Sequence, residues 1–279
     1  MKGTTEIAEK ETLIRRSSEW RWLNWAEIVQ YRDLLYFLTI RGVRAKYAQS
    51  VLGVSWAIIQ PLFTTVVFTV VFGRFAKVDS NGVPYLLFNF IAMLPWTFFS
   101  GTLTDASVSL VQNNTIITKV YFPRIFIPLS AALAKWLDFA IAFIVLIVLL
   151  FYFKINPGWN LIYFPLLLID LFLVSMALAL LFSAMSVQYR DIKHGMTFLV
   201  QLLLYFAPVV YSTYSISATW RNWYALNPMV GVIEGFRAVF LGTAMPWGWI
   251  TTSFLVSAVL FVFSAAYFQR MERSFADVA

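Results

Sequence analysis

The stretch "QSVLGVSWAIIQPL" occupies Gln49–Leu62 and stands at the mouth of the first long apolar segment. Glutamine, serine, glycine, tryptophan and proline crowd into it. Hydrocarbon leaves a polar group unsatisfied, so such groups need a contact other than lipid. On a helix, Ser50, Gly53, Trp56, Gln60 and Thr64 follow steps of three or four and share one face. Val51, Leu52, Val54, Ile58, Ile59 and Leu62 fill the other faces. A polar stripe of this kind faces a water-filled path or another subunit. Gly, Ser and Gln also serve as helix–helix contacts in membranes, and spacing alone leaves both open. Pro61 removes a backbone donor and favours a kink beside the stripe.

Around this stretch the chain is 60% hydrophobic and 13% charged, with a mean hydropathy of +0.74. Average soluble domains hold about 45–50% apolar and about 25% charged residues. The chain therefore reads as an all-α integral membrane protein, and its 279 residues accommodate about six spans of ~20 residues. The absence of cysteine excludes disulfides and thiolate metal sites, and the single histidine, His194, argues against a His-based one. The N-terminal fifty residues carry nine Lys and Arg but no long apolar run, so no cleaved signal is expected.

Six apolar segments follow, at about 54–72, 86–109, 125–152, 161–186, 196–213 and 248–268. With both termini inside, the basic residues of the N-terminal region, Lys119, Arg124, Arg190, Lys193, Arg270 and Arg273 lie in the cytoplasm. Arg74, Lys77, Lys154, Arg221 and Arg237 lie outside, and Lys135 falls within a span. That bias predicts an N-in, C-in topology and disposes of nucleic acid as the reason for the basic charge. The expected division is a cytoplasmic segment over 1–53, a six-span domain over 54–268 and a cytoplasmic tail over 269–279. Residues 20–47 mix Trp20, Trp22 and Trp25 with basic groups and an apolar arc of Leu34, Leu35 and Leu38. They read as an amphipathic helix on the cytoplasmic interface, or as a helix packed on a soluble partner. Residues 214–247 are apolar but broken by Pro228, Gly231, Gly235, Gly242 and Pro246. Two short re-entrant helices between spans five and six fit that pattern, as does a plain external loop.

Four stretches in order then resemble one family. "QSVLGVSWAIIQPL", "ITKVYFPRIFIPLS" (117–130), "QYRDIKHGMTFLVQLLLYFAPVVYS" (188–212) and "LNPMVGVIEGFRAVFLG" (226–242) are similar to the permease subunits of type-2 ABC exporters, in their polysaccharide-export branch. The resemblance implies a homodimeric pore in a bacterial inner membrane with two separate ATPase subunits on its cytoplasmic face. Its substrate would be a glycan on a polyprenyl diphosphate, with O-antigen ahead of capsule or teichoic acid. ATP and Mg²⁺ would be bound by the partner ATPase. This chain carries no G-x-x-x-x-G-K-[ST] phosphate loop, and no cofactor of its own is expected. A drug or small-lipid permease of the same fold is the alternative. A membrane enzyme acting on lipid-linked sugars needs clustered acids or a catalytic histidine, which the scattered carboxylates do not supply.

Several residues become candidates. The loop after span two offers Asn113, Asn114 and Thr115 as helix caps, with Ile116, Ile117 and Lys119 following. By resemblance this is the ATPase-coupling element; read plainly, it is an ordinary cytoplasmic turn. Gly53, Trp56, Gln60, Phe63, Thr64, Tyr205 and Tyr211 are candidates for the channel wall. Trp220, Trp223, Tyr224, Glu234 and Arg237 are candidates for an outer gate. Aromatic rings offer sugars a broad face, but Trp and Tyr also form interfacial belts. Arg32, Arg41, Arg44 and Lys46 can attract a lipid diphosphate or anionic headgroups. Lys135, Asp138 and Asp170 lie within spans, where a structural ion pair or a contact with hydrated substrate is expected.

Overall fold

The computed structural model describes residues 29–48, 50–189 and 191–272, all of whose regular elements are helical. The chain begins with α1 (Arg32–Tyr47). A 3₁₀ turn at Gly53–Ser55 then leads into α2 (Trp56–Phe68), which a π-helical stretch extends through Thr69–Phe75. There follow α3 (Tyr85–Gln112), the short α4 (Asn114–Ile117), α5 (Phe126–Tyr152) and α6 (Phe164–Gln188), the last preceded by a 3₁₀ stretch at Gly158–Tyr163. The chain continues through α7 (Asp191–Phe206), α8 (Ala218–Tyr224), α9 (Pro228–Leu241) and α10 (Trp247–Glu272).

Among the described residues, five helices are long and apolar enough to cross a membrane: α2 and α6 with their flanking turns, α3, α5 and α10. The expected fifth segment departs from the sequence reading. Its helix starts at Asp191 and stops at Phe206 instead of running to 213. At 16 residues it is ~24 Å long, short of the ~30 Å of hydrocarbon. Pro208 explains the stop, because a proline ring disfavours helical geometry at the residue before it. The interrupted region 214–247 contains two short helices, α8 and α9. The ends of α9 follow local rules: Asn227 Oδ1 accepts from Met229 N at 3.1 Å, Pro228 opens the first turn, and Gly242 closes it at φ +67°.

The core is built around α3, which packs on α2, α5, α6, α7 and α9. Phe90, Leu94, Phe98 and Leu103 of α3 meet Phe139 and Leu146 of α5, Leu167 and Leu171 of α6, and Ile233 and Phe236 of α9. Helix α9 sits deep because glycines let neighbours approach. A Cβ on Gly231 would overlap the Trp249 carbonyl and Ser253, and one on Gly235 would come within 2.6 Å of Leu167. A second core joins Leu38 of α1 to Leu110, Ile117, Phe122 and Phe126, then to Met176 and Leu180 of α6 and Phe268 of α10. Helix α1 is therefore moored to the bundle, packing along α5 with Gly42 against Ala134. The tryptophans expected to anchor it, Trp20, Trp22 and Trp25, lie outside the described residues, as do Gln49, Arg190 and the tail beyond Glu272.

Candidate functional site

The stripe on the first apolar segment is shorter than the sequence suggests. Gly53 adopts φ +49°, a left-handed geometry that breaks helical phase, and its N–H donates to Ser50 Oγ at 3.1 Å. The α-helix starts only at Trp56, so Ser50 and Gly53 drop out of the continuous face. Trp56, Gln60 and Phe63 remain together on the uncovered side of α2. Thr64 is half-buried, and its hydroxyl donates back to the Gln60 carbonyl at 2.9 Å. Pro61 is buried within the helix.

Tyr205 lies exposed near the end of α7. Its carbonyl accepts from the Tyr211 hydroxyl at 2.9 Å, and that hydroxyl also lies 2.9 Å from Tyr224 Oη. Because a hydroxyl carries one proton, Tyr211 donates to Tyr205 and accepts from Tyr224. Trp220 and Trp223 are exposed on α8.

Glu234 and Arg237, placed at an outer gate by sequence, are 6% and 3% exposed. They bind backbone. Arg237 Nη1 donates to the Tyr211 carbonyl and Glu234 Oε1, both at 3.1 Å, and Nη2 donates to the Val209 carbonyl at 2.9 Å. The guanidinium stacks 3.7 Å from the Phe88 ring centroid. Glu234 accepts from Thr213 N at 2.9 Å, Asn89 donates to the Val209 carbonyl at 3.2 Å, and Tyr85 donates to the Val210 carbonyl at 2.6 Å. The non-helical chain after α7 is thus satisfied by side chains of α3 and α9, as irregular backbone away from water must be. Tyr85 and Asn89 were not among the sequence candidates; they are polar residues in an apolar run, which was the available signal.

The charges within spans do not form one cluster. Lys135 and Asp138 share a face of α5 but turn to different neighbours. Lys135 pairs with Asp105 of α3, while Asp138 pairs with Lys46 and accepts from the Tyr47 hydroxyl, both on α1. Burial, then the Asp138 contact, raises the Tyr47 phenol above its usual range, so it remains a donor. Asp170 has a different partner and accepts from Ser253 of α10 at 2.6 Å. The ion pairing expected of Lys135 and Asp138 thus runs to α3 and α1, while Asp170 meets a hydroxyl, because each side chain meets the helix its own face presents. Asp105 was overlooked by sequence although it is an ionisable residue in the second apolar segment.

On α1, Arg41 donates to Asn113 Oδ1, Arg32 lies 3.7 Å from Asp33, and Arg44 is exposed. Arg41 and Lys46 thus have protein partners. The expected capping of α4 is corrected too: no side chain caps it, since Asn113 Nδ2 donates backwards to the Ser109 carbonyl at 2.8 Å. Ile117 turns into the second core and Ile116 is half-buried, Asn114 is half-buried, and Thr115, Lys119, Val120 and Tyr121 face outward.

Comparison with known proteins covers most of the chain. A family model described as ABC-2 type transporter matches residues 33–241. The O-antigen export system permease protein RfbA of Myxococcus xanthus is 27% identical over 254 residues, spanning 90% of this chain and 97% of that protein. Its namesake from Klebsiella pneumoniae is 25% identical over 247 residues, spanning 88% and 95%. The polysialic acid transport protein KpsM of Escherichia coli is 22% identical over 203 residues, spanning 71% and 77%.

Proposed function

Because this chain belongs to the ABC-2 type transporter family, we propose that two copies of it enclose a path through the bacterial inner membrane by which an ATP-driven complex exports a polysaccharide on a polyprenyl diphosphate. O-antigen is the leading substrate, in keeping with the names of the relatives. The chain is the membrane subunit and not the enzyme; ATP and Mg²⁺ belong to two partner ATPase subunits. The observation that carries the dimer is α2. Only 11% of its most apolar stretch is buried, and Trp56, Gln60 and Phe63 stand uncovered together. Gln60 is ill-suited to hydrocarbon, so a second copy and the path it encloses are the fitting neighbours.

In this reading both termini are cytoplasmic, with residues 1–53 and 269–279 on that side. Helix α7 and the clamped segment after it make the fifth of six crossings, and α8 and α9 are the re-entrant pair. The outward residues Thr115, Lys119, Val120 and Tyr121 around α4 offer the ATPase its contact. Exposed Arg44, and Arg32 in its exposed 3.7 Å pair with Asp33, can meet a lipid diphosphate. Trp220 and Trp223 rim the outer mouth.

The test is reconstitution. The purified chain is expected to hydrolyse no ATP. Expressed with its ATPase in cells lacking both, it is expected to return polysaccharide to the cell surface. ATP turnover by this chain alone, or accumulation of no cytoplasmic lipid-linked glycan in cells lacking it, would overturn the proposal.

A further inference from the structure

Helix α3 has one narrow opening in its cover. From Leu87 to Ser107 every residue is buried except Thr97, Ser100, Gly101, Thr104 and Asp105. These five lie at helical steps of three and four and share a face. None is aliphatic or aromatic. Elsewhere the same chain covers its uncovered faces with hydrocarbon side chains: on α5 the exposed residues include Leu137, Ile144, Ile147, Val148 and Phe151. The Thr97, Ser100 and Thr104 hydroxyls donate to carbonyls of α3 itself, so it is the half-exposed Asp105 carboxylate that makes this face unsuited to lipid, whereas lipid suits the α5 face.

At one end of that opening sits an asymmetric ion pair. Lys135 reaches it from α5 with its residue 8% exposed, whereas the Asp105 side chain is 51% exposed. Gly101 makes the slot: a Cβ there would meet Lys135 Cδ and Cε at 3.3 Å. Lys135 engages Asp105 Oδ2, and among the described residues the other carboxylate oxygen has no partner. Two further turns, carrying the accessible Val108 and Val111, separate Asp105 from the helix end at Gln112. The carboxylate therefore stands inside the wall and not at its rim.

We propose that Asp105, held by Lys135, is a contact for the hydroxyl groups of a polyhydroxylated chain passing along the Thr97–Asp105 face of α3. This rests on the exporter reading above and deepens it by assigning a substrate contact. An ionised carboxylate accepts charge-assisted hydrogen bonds, and a sugar chain presents O–H donors along its whole length. The buried ammonium keeps the negative charge in place while leaving one oxygen open. Lys135 is accordingly a positioning residue. A second copy of the chain is the poorer occupant of this face, since a two-fold contact centred on it would bring two half-exposed Asp105 carboxylates close together.

Two measurements on the full complex with its ATPase subunits decide the matter. First, single cysteines replace Thr97, Ser100 and Thr104, with Ile144 and Val148 as controls, in a chain that has no cysteine of its own. A charged, water-soluble thiol reagent is expected to modify the α3 positions and spare the α5 positions. Maltoheptaose is expected to slow modification, whereas polyethylene glycol, which lacks hydroxyls along its chain, is not. Oxidative cross-linking of two copies through Ser100→Cys or Thr104→Cys, absence of labelling on α3, or equal protection by both polymers would overturn the proposal.

Second, Asp105→Ala is expected to lower export by about tenfold, the loss of one charge-assisted hydrogen bond, with the complex still assembled. Asp105→Glu is expected to retain most of it. A purely structural ion pair is relieved by removing both charges. The double variant Asp105→Asn with Lys135→Met is therefore expected to stay impaired, and its recovery to wild-type export would overturn the role of Asp105. A wild-type complex that exports no lipid-linked glycan would instead overturn the exporter reading, whatever the labelling.

Discussion

Helices α2 and α9 reverse what their composition suggests. Helix α2 and its π-helical extension form a continuous, largely apolar run from Gly53 to Phe75 that is only 11% buried over its most apolar stretch. Helix α9 is 14 residues long, about 21 Å, and is interrupted by Gly231, Glu234, Gly235 and Arg237. Yet every residue from Met229 to Phe240 is buried. In a membrane, hydropathy measures how well a residue tolerates hydrocarbon, not how deep it lies in the protein. Valine and phenylalanine can face lipid at no cost. An arginine, a glutamate and two glycines gain most from protein: the charges for their partners, the glycines for close packing.

Four changes break or sharpen that contrast. The largest effect is expected at Gly231→Leu, whose side chain has no room against Trp249 and Ser253. No folded subunit should elute as a single species on size exclusion in detergent, whereas Phe63→Leu on α2 should elute normally. Equal behaviour of the two would erase the distinction between the helices. Next, Arg237→Met should cost about 3–5 kcal/mol, because it strands Glu234 and frees the Val209 and Tyr211 carbonyls. Thermal unfolding followed by tryptophan fluorescence reads this loss, and adding Glu234→Gln should restore part of it.

A smaller loss, about 1–2 kcal/mol, is expected for Asn160→Ala. Asn160 Nδ2 donates to the Ala238 carbonyl at 3.2 Å and the Thr243 carbonyl at 2.7 Å, which holds the end of α9. The same melting measurement checks it. Smallest is Gln60→Leu: its unfolding midpoint should move by no more than about 0.5 kcal/mol in equivalent stability, as for an uncovered site. Surface polysaccharide should nonetheless fall. A drop in stability without any change in export would make Gln60 a packing residue and not a wall residue.

Local signals were legible where one residue or one turn sufficed. Asn227 and Pro228 at its start and Gly242 at its end delimit α9 on the printed sequence, and hydropathy located α2, α3, α5, α6 and α10 to within a few residues. The end of α7 was legible too, in Pro208, but the apolar run through 213 outweighed it. The pairing of charges was not. Lys135 and Asp138 stand three apart on one helix, a spacing that suggests they serve each other or a common partner. Their actual partners, Asp105, Lys46 and Tyr47, lie on α3 and α1. The clamp of Arg237 on the chain after α7 joins residues 26 and 28 apart.

Sequence alone determined that the chain is helical, that it belongs in a membrane and which family it joins. Those properties follow from composition, from residue spacing along one helix and from short ordered motifs. Only the tertiary structure decided which faces stay uncovered, that Glu234 and Arg237 support backbone, and that Asp105 stands half-open beside Lys135. The physical reason is that exposure and pairing depend on the rotation of each helix about its axis and on its neighbours. A one-dimensional pattern names the faces of a helix but not what they meet.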